Sequence, residues 1–253
     1  MSLPRVSIIT PTYNRPYFLR QLMSCFLDQT YQPIEWLIFD DSPVKDSFFS
    51  SLKDTSIRYF WTDERITVGE KRNHLIERSE GEIIVHFDDD DYYAPSYVSE
   101  RIAKMKAVGA DASLLNGFFV CQLKQGQYGF YLTDIKQGPA YRFSKQGISA
   151  VSLEEQNMPL IHLCYGFAYV YKRTVGIKIR FPDSNIFEDR AFLLQAIEQF
   201  KVFAHSDEAI ITIHSTHHHS SSGCFPQFLI PQFMINQLAP EAAFYMQTLA
   251  RFL

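Results

Sequence analysis

Residues 83–91 read Ile83-Ile84-Val85-His86-Phe87-Asp88-Asp89-Asp90-Asp91. A short apolar run that stops at four carboxylates is the pattern of a buried strand ending at a polar edge. The four charges are costly together. At a separation of roughly 6 Å and an effective dielectric near 20, each neighbouring pair repels by about 3 kcal/mol. Such a run fans out into water as a solvated turn, takes up protons, or holds a cation. The strand before it and Tyr92-Tyr93-Ala94-Pro95 after it tip the reading towards the cation.

Outward from this point, strands and helices alternate. Val6 to Thr10 reads as a first buried strand ended by Pro11, and Leu19, Leu22 and Phe26 then recur at helical spacing until Pro33. Glu35 to Asp40 is a second strand, Ile57 to Trp61 a third, and Gly69 to Arg78 a helix leading into the strand at 82–87. That alternation argues for an α/β fold with a mostly parallel sheet flanked by helices. The carboxylates then stand at a carboxyl end of the sheet, where open α/β folds bind ligands.

The second half is more mixed. Ser96 to Val108 reads as a helix, and Ala112 to Leu123 and Gly129 to Thr133 as strands. Gln137 to Pro159 is weakly periodic and reads as a mobile, acceptor-side flap. Tyr165 to Tyr171 reads as a strand, Phe187 to Phe200 as a helix opened by Glu188 and Asp189, and Ala209 to Ile213 as a last strand. There is no internal repeat and no linker. The expected organisation is one body over residues 1–222, its nucleotide-binding half about 1–100 and its acceptor half about 101–222, with a short apolar helical tail over 223–253.

Composition bounds the function. A chain of 253 residues, 46% hydrophobic and 21% charged, can bury a full core. A formal charge of −4 offers no general attraction to nucleic acid or anionic lipid. The 22 Phe and 14 Tyr suit a dense core, and secondly a cleft that offers ring faces to a base or sugar. Cys25, Cys121, Cys164 and Cys224 stand far apart, as in a thiol-reduced cytosolic protein. The first residues lack the layout of a signal peptide, and no window reaches a membrane-spanning length, so membrane contact would be peripheral, at an inner face.

Two further segments fall at the same sheet edge as the Asp run. Pro11-Thr12-Tyr13-Asn14-Arg15 follows the first strand; it is either a plain turn with Asn14 as helix cap and Pro16 at the first helical position, or a nucleotide contact. Asp40-Asp41-Ser42-Pro43 ends the second strand as a turn or as an acceptor for the imide N–H of a uracil. Each is weak alone. Their coincidence with Asp88–Asp91 carries the argument.

Taken together, VSIITPTYNRPYFL, LIFDDS, GEKRN and VHFDDDDYYAP resemble the inverting nucleotide-sugar glycosyltransferases of family 2, which have the GT-A fold. The likeness is ordered over about residues 5–100 and continues loosely to Phe187-Glu188-Asp189, which is similar to the family's acceptor-side Glu-Asp motif. It implies that Pro11, Thr12, Tyr13, Asn14, Arg15 and Asp41 meet the donor nucleotide and that Arg72 lies near the base or phosphates, if it is not a surface arginine. It also implies that Asp88 faces the ribose and Asp90 the divalent cation, Mn2+ or Mg2+. The run leaves the register open by one, so Asp89 is an alternative for either role.

The implied chemistry needs these residue types. A departing nucleoside diphosphate develops charge that an oxygen-ligated divalent ion offsets, and one or two Asp suffice to hold it. Inversion needs a base for the acceptor hydroxyl, whether carried by a carbohydrate, a lipid-linked acceptor or a protein. Asp189 is the first choice and Glu188 the second; favourable charge in a first helical turn is the plain alternative for both. That dipole would lower the pKa of Asp189. His217 to His219 read as solvated loop residues, with His217 a candidate further ligand of the ion, and His162 reads as structural.

No Gln-x-x-Arg-Trp element, the mark of processive synthases, is present, which favours addition of single sugars, of the hexosyl type, in polysaccharide or glycoconjugate synthesis. The carrier expected is UDP, with dTDP and GDP open. The competing readings are a nucleotidyltransferase, which would show a Gly-rich phosphate loop that PTYNR lacks, and an inactive GT-A-like module that only binds a nucleotide sugar.

Overall fold

The computed structural model describes residues 3–155, 165–220 and 223–253. The first half is built from β1 (Val6–Thr12), α1 (Pro16–Leu27), β2 (Ile34–Asp40), α2 (Ser47–Ser51), β3 (Ile57–Trp61), α3 (Val68–Arg78) and β4 (Ile83–His86). β5 (Tyr92–Tyr93), α4 (Tyr97–Ala107), β6 (Ala112–Gln122), β7 (Gln127–Leu132), β8 (Gly138–Ser144) and β9 (Gly147–Leu153) follow. A 3-10 turn, Gly166–Ala168, leads into β10 (Val170–Lys172), α5 (Arg173–Lys178), α6 (Glu188–Gln199), β11 (Val202–Ser206), β12 (Thr212–Thr216), β13 (Phe228–Ile230), α7 (Gln232–Leu238) and α8 (Pro240–Ala250).

β4, β1, β2 and β3 lie side by side and parallel, with Thr12 opposite Asp40 and Ile9 opposite His86. The chain turns that follow β1, β2 and β4 therefore share one edge. Beyond β4 the sheet becomes mixed: β10 runs antiparallel between β4 and β6, β7 and β13 extend the order antiparallel, and β11 and β12 add parallel to β6.

Strand residues alternate between two cores. Val6, Ile8, Trp36, Ile38 and Val85 pack with Leu19, Leu22 and Phe26 of α1 and Ile102 of α4; Ile9, Leu37 and Ile84 pack with Leu75 and Ile76 of α3 and Phe192 and Leu193 of α6. Strands covered on both faces carry the near-continuous apolar runs that made them readable. α3 is fixed at its start by a capping box in which Thr67 and Glu70 satisfy each other's backbone amides.

Several expected elements differ. β1 continues through Pro11 to Thr12, because the edge pairing there asks no donor of the proline. Asn14 does not cap α1: it stands in the left-handed region at φ 53, which Asn tolerates, and Arg15 takes the cap position. Gln137 to Pro159 is no loose flap as far as Leu153, but a regular hairpin of β8 and β9; residues 156–159 and His162 lie outside the described residues, as does Cys164. Tyr165 to Tyr171 is strand only from Val170. Its first part is the 3-10 turn, whose carbonyls accept from His86, Tyr93 and Arg101 side chains and so need no sheet partner. The last strand is shifted to Thr212–Thr216 because Ile210 adopts φ 57, and β11 and α5 were not foreseen.

Residues 223–253 are joined to the rest. β13 pairs with β7, and α8 buries Ala242, Ala243, Tyr245, Met246 and Leu249 in the first core. Cys25, Cys121 and Cys224 are buried free thiols. Among the described residues no helix is long and apolar enough to cross a membrane.

Candidate active site

The Asp run meets the β1 turn directly. Thr12 donates its hydroxyl to Asp89 at 2.5 Å, and the Arg15 guanidinium reaches Asp89 at 2.7 Å and Asp90 at 2.8 Å. Asp91 is fully buried and accepts from His214 Nδ1 at 2.9 Å and from the Ser215 amide at 2.7 Å. The run is thus divided by partner: Asp89 is held by Thr12 and Arg15, Asp90 shares Arg15, and Asp91 is used in holding β12.

The four carboxylates titrate apart for the same reason. Burial pushes Asp91 up to about 6 against the pull of His214, and pushes Asp88 and Asp89 upward as well. Asp88 keeps 28% of its side chain exposed, yet burial of its carboxylate, helped by Asp91 and Asp90 and opposed by Arg72, pushes it up to about 7. Asp90 is lowered despite burial, because Arg15 and His217 outweigh that cost. His214 is raised well above the usual histidine value; burial lowers it, and Asp91 more than reverses this.

His217 is not a solvated loop residue. It is fully buried, stacks on Phe18 at 5.3 Å and places Nε2 2.8 Å from Asp90 Oδ2. The two residues expected to share an ion are thus adjacent. His218 and His219 are exposed, and the His219 carbonyl accepts from Arg15 at 3.1 Å.

Asp41 is enclosed. Its carboxylate pairs with Lys71 and Arg65 and accepts from the Ile66 amide at 3.0 Å. Lys71 also donates to the Thr12 carbonyl at 2.8 Å, and the Arg65 guanidinium lies 3.5 Å above the Tyr13 ring. The base-reading role expected of Asp41 therefore concerns a carboxylate already held by two cations, neither of which was singled out from sequence. Asp40 faces inward, accepting from the Tyr59 hydroxyl at 2.6 Å and the Ser42 amide at 2.9 Å. A cavity of about 300 Å³ opens beside Thr12, Asn14, Arg15 and Ser42. A larger one, about 770 Å³, lies at the opposite edge beside Glu82 and Ile83, away from these groups.

Arg72 is buried, which excludes the surface reading. Its guanidinium pairs with Glu188 at 2.6 Å and lies 3.6 Å from Asp88 Oδ1, an oxygen with no hydrogen-bond partner. Asp189 accepts from the Gly166 amide at 3.1 Å and the Arg190 amide at 2.7 Å. Its pKa moves opposite to the expectation from the helix dipole. Burial, helped by Glu188, pushes it up to about 6, and Arg72 and the two amides oppose this only in part. Phe187, just before it, stands at φ 59, a strained left-handed conformation for a bulky residue.

The carboxylates of Asp88 and Asp90 and the imidazole of His217 are the donors suited to Mn2+ or Mg2+. The Oδ1 of Asp88, which has the Arg72 charge at 3.6 Å but no hydrogen-bond partner, fits such a ligand, because a buried carboxylate oxygen is otherwise costly to leave without one. Among the described residues, no three such side chains converge to hold an ion without help.

The sequence model of glycosyl transferase family 2 matches residues 7–152. An uncharacterized glycosyltransferase of Haemophilus influenzae is 27% identical over 84% of this chain and 81% of its own length. The chain spans only 44% and 35% of two other curated relatives, from Escherichia coli and Rickettsia felis. Among solved structures, Staphylococcus aureus TarS 1-349 in complex with UDP-GlcNAc superposes with a TM-score of 0.62 at 18% identity, over 98% of this chain and 71% of that one. The mannosyltransferase PcManGT of Pyrobaculum calidifontis, in complex with GDP-Man and Mn2+, does so at 0.55 and 15% identity, over 84% and 57%. At these identities the structural likeness shows the fold alone.

Proposed function

The chain belongs to glycosyltransferase family 2 and has the GT-A fold, and from that premise we propose that it transfers one sugar, with inversion, from a nucleotide-sugar donor to an acceptor hydroxyl. The observation that carries this reading is the Arg72 bridge, which brings Asp88 of the donor edge within one side chain of Glu188 at the start of α6. The proposed donor and base groups are thereby brought side by side.

On this reading Asp88 and Asp90, with His217 beside them, hold the divalent ion. Arg15 engages Asp89 and Asp90 alike; Asp89 is the weaker choice because it also accepts from Thr12, whereas Asp90 lies against His217, itself a candidate ligand. When bound, the ion offsets the negative charge of the departing diphosphate. Protein side chains would supply one or two ligands, and the diphosphate and water the rest.

Asp189 is the base. Glu188 is neutralised by Arg72, while the contacts of Asp189 are backbone amides that leave it able to accept a proton. With a pKa of about 6 it is mostly ionised at neutral pH, yet basic enough to assist the acceptor hydroxyl as its proton leaves. Tyr13, Asn14 and Asp41 border the base and Arg15 the phosphates. Both UDP and GDP carriers occur in the neighbouring structures, so the carrier is a question for experiment.

The test is incubation with Mn2+ and a panel of UDP, GDP and dTDP sugars, with product analysis. Free sugar of inverted anomeric configuration and nucleoside diphosphate support the proposal. Pyrophosphate release would indicate nucleotidyl transfer, and binding without turnover an inactive module.

A further inference from the structure

We propose that His86 is a positioning residue for the base: through the Gly166 turn it sets where the Asp189 carboxylate stands. This rests on the reading of Asp189 given above.

His86 ends β4 with its ring turned into the second core, among the rings of Tyr169, Tyr171 and Phe181 at 5.7, 5.4 and 5.8 Å. It makes two polar contacts there, Nδ1 with the Gly166 carbonyl and Nε2 with the Tyr171 hydroxyl, each at 2.9 Å. A carbonyl only accepts, so Nδ1 carries the proton. The ring is enclosed among aromatic side chains and no carboxylate is hydrogen-bonded to it, which fits the neutral imidazole, with Nε2 accepting from the Tyr171 hydroxyl. One tautomer is thereby selected, and with it one orientation of the ring.

That orientation pins Gly166 from beneath. On its other side the Gly166 amide donates to Asp189 Oδ2 at 3.1 Å. The two peptides flanking this residue are therefore clamped, one by the imidazole and one by the carboxylate. Close approach allows this only for glycine: a Cβ here would lie 2.9 Å from Asp189 Cβ and 3.3 Å from both terminal nitrogens of Arg72. The same turn is tied to the donor edge, because Tyr93 accepts from the Asp88 amide at 2.9 Å and donates to the Phe167 carbonyl at 3.0 Å. Displacing the turn would move the base relative to the Asp run.

The test compares His86→Leu, His86→Asn, Tyr171→Phe and Asp189→Asn with the unaltered protein. Turnover is read as Mn2+-dependent hydrolysis of the nucleotide sugar that the donor panel identifies, and the turn as amide hydrogen exchange over residues 165–169. His86→Leu fills the aromatic cage but cannot donate; it should lower kcat about tenfold with KM within about twofold, and speed exchange in the turn. Asn places an amide nitrogen where Nδ1 stood, and His86→Asn should recover kcat to within about threefold. Tyr171→Phe keeps the packing and should lower kcat about threefold, which keeps the question open to test if His86→Leu does not fold.

Equal losses for Leu and Asn would reduce His86 to a packing role and overturn the proposal. So would a fully active His86→Leu beside an inactive Asp189→Asn, in which case the base assignment stands. If Asp189→Asn retains turnover, the base assignment itself fails. Unchanged exchange in His86→Leu would overturn the clamp independently of any activity.

Discussion

Arg72 and Glu188 are paired at 2.6 Å although they belong to helices 116 residues apart in the chain. Both are buried, and the second terminal nitrogen of Arg72 lies 3.6 Å from Asp88. The guanidinium therefore stands between the Asp run at the sheet edge and the start of α6, and its own pKa, far above neutrality, keeps it charged at any pH the protein meets. Its planar fork suits two carboxylates at once, which a lysine would not match.

Removing that charge should cost stability as well as activity. Arg72→Leu leaves Glu188 buried without a partner, and breaking a buried pair on one side costs about 3 kcal/mol. Urea unfolding should show this loss. Glu188→Gln keeps a hydrogen bond to Arg72 and should retain most turnover. Full loss of turnover in Glu188→Gln, with Asp189→Asn active, would move the base to Glu188.

Asp90 is expected to carry the metal dependence of donor binding. Its carboxylate is held ionised by Arg15 and His217 against the cost of burial. Asp90→Asn should weaken Mn2+-dependent nucleotide binding more than about tenfold, or roughly 1.4 kcal/mol, in calorimetry. His217→Gln should give a smaller loss of the same kind. Affinity that ignores both substitutions would shift the ion to Asp88 or Asp89.

Asp41 has two possible duties, and they separate by experiment. If it reads the base, Asp41→Asn should reduce the preference for UDP over GDP, since the exchange adds a donor where an imide N–H would approach. If it serves to hold the buried Lys71 and the Arg65 that lies over Tyr13, both nucleotides should lose affinity equally, and the melting temperature should fall. Arg65→Ala exposes Tyr13 without touching Lys71 and provides the control.

The parallel half of the fold was readable because β1, β2 and β4 are covered on both faces, so apolar runs and turn residues mark them without ambiguity. The same is true of the site's strand-end residues, since a shared sheet edge follows from the alternation of strands and helices. The 3-10 turn was hidden because its aromatic residues imitate a strand, while its carbonyls are satisfied by side chains from three other elements. β11 is half-exposed and lacks an apolar run to announce it. Contacts such as His217 with Asp90 and His214 with Asp91 join residues more than 120 positions apart. Local pattern carries no trace of them. The pKa of Asp189 runs against the helix-start expectation for a related reason: the dipole is visible in the local sequence, whereas the burial that outweighs it belongs to the packed fold.

That burial gives Asp189 a consequence for stability that opposes the role proposed for it in turnover. Its pKa in the folded protein is about 6, above the ordinary carboxylate value, so the folded state binds this proton more tightly than the unfolded chain. Raising the pH from about 4 through 6 ionises the group in both states and disfavours the folded one, by on the order of 3 kcal/mol at neutral pH. Asp189→Asn removes the charge but keeps an oxygen for the Gly166 amide. It should therefore unfold at a higher urea concentration than the unaltered protein at pH 7.5, and show no such advantage near pH 4. Turnover should fall about 10²-fold or more, with donor affinity near its original value. In the unaltered protein kcat should decline as pH drops through about 6, and the residual rate of Asp189→Asn should lack that acid limb. An Asp189→Asn variant that is more stable at pH 7.5 yet fully active would leave this carboxylate buried for no catalytic end, and the base would have to be sought elsewhere in the cleft.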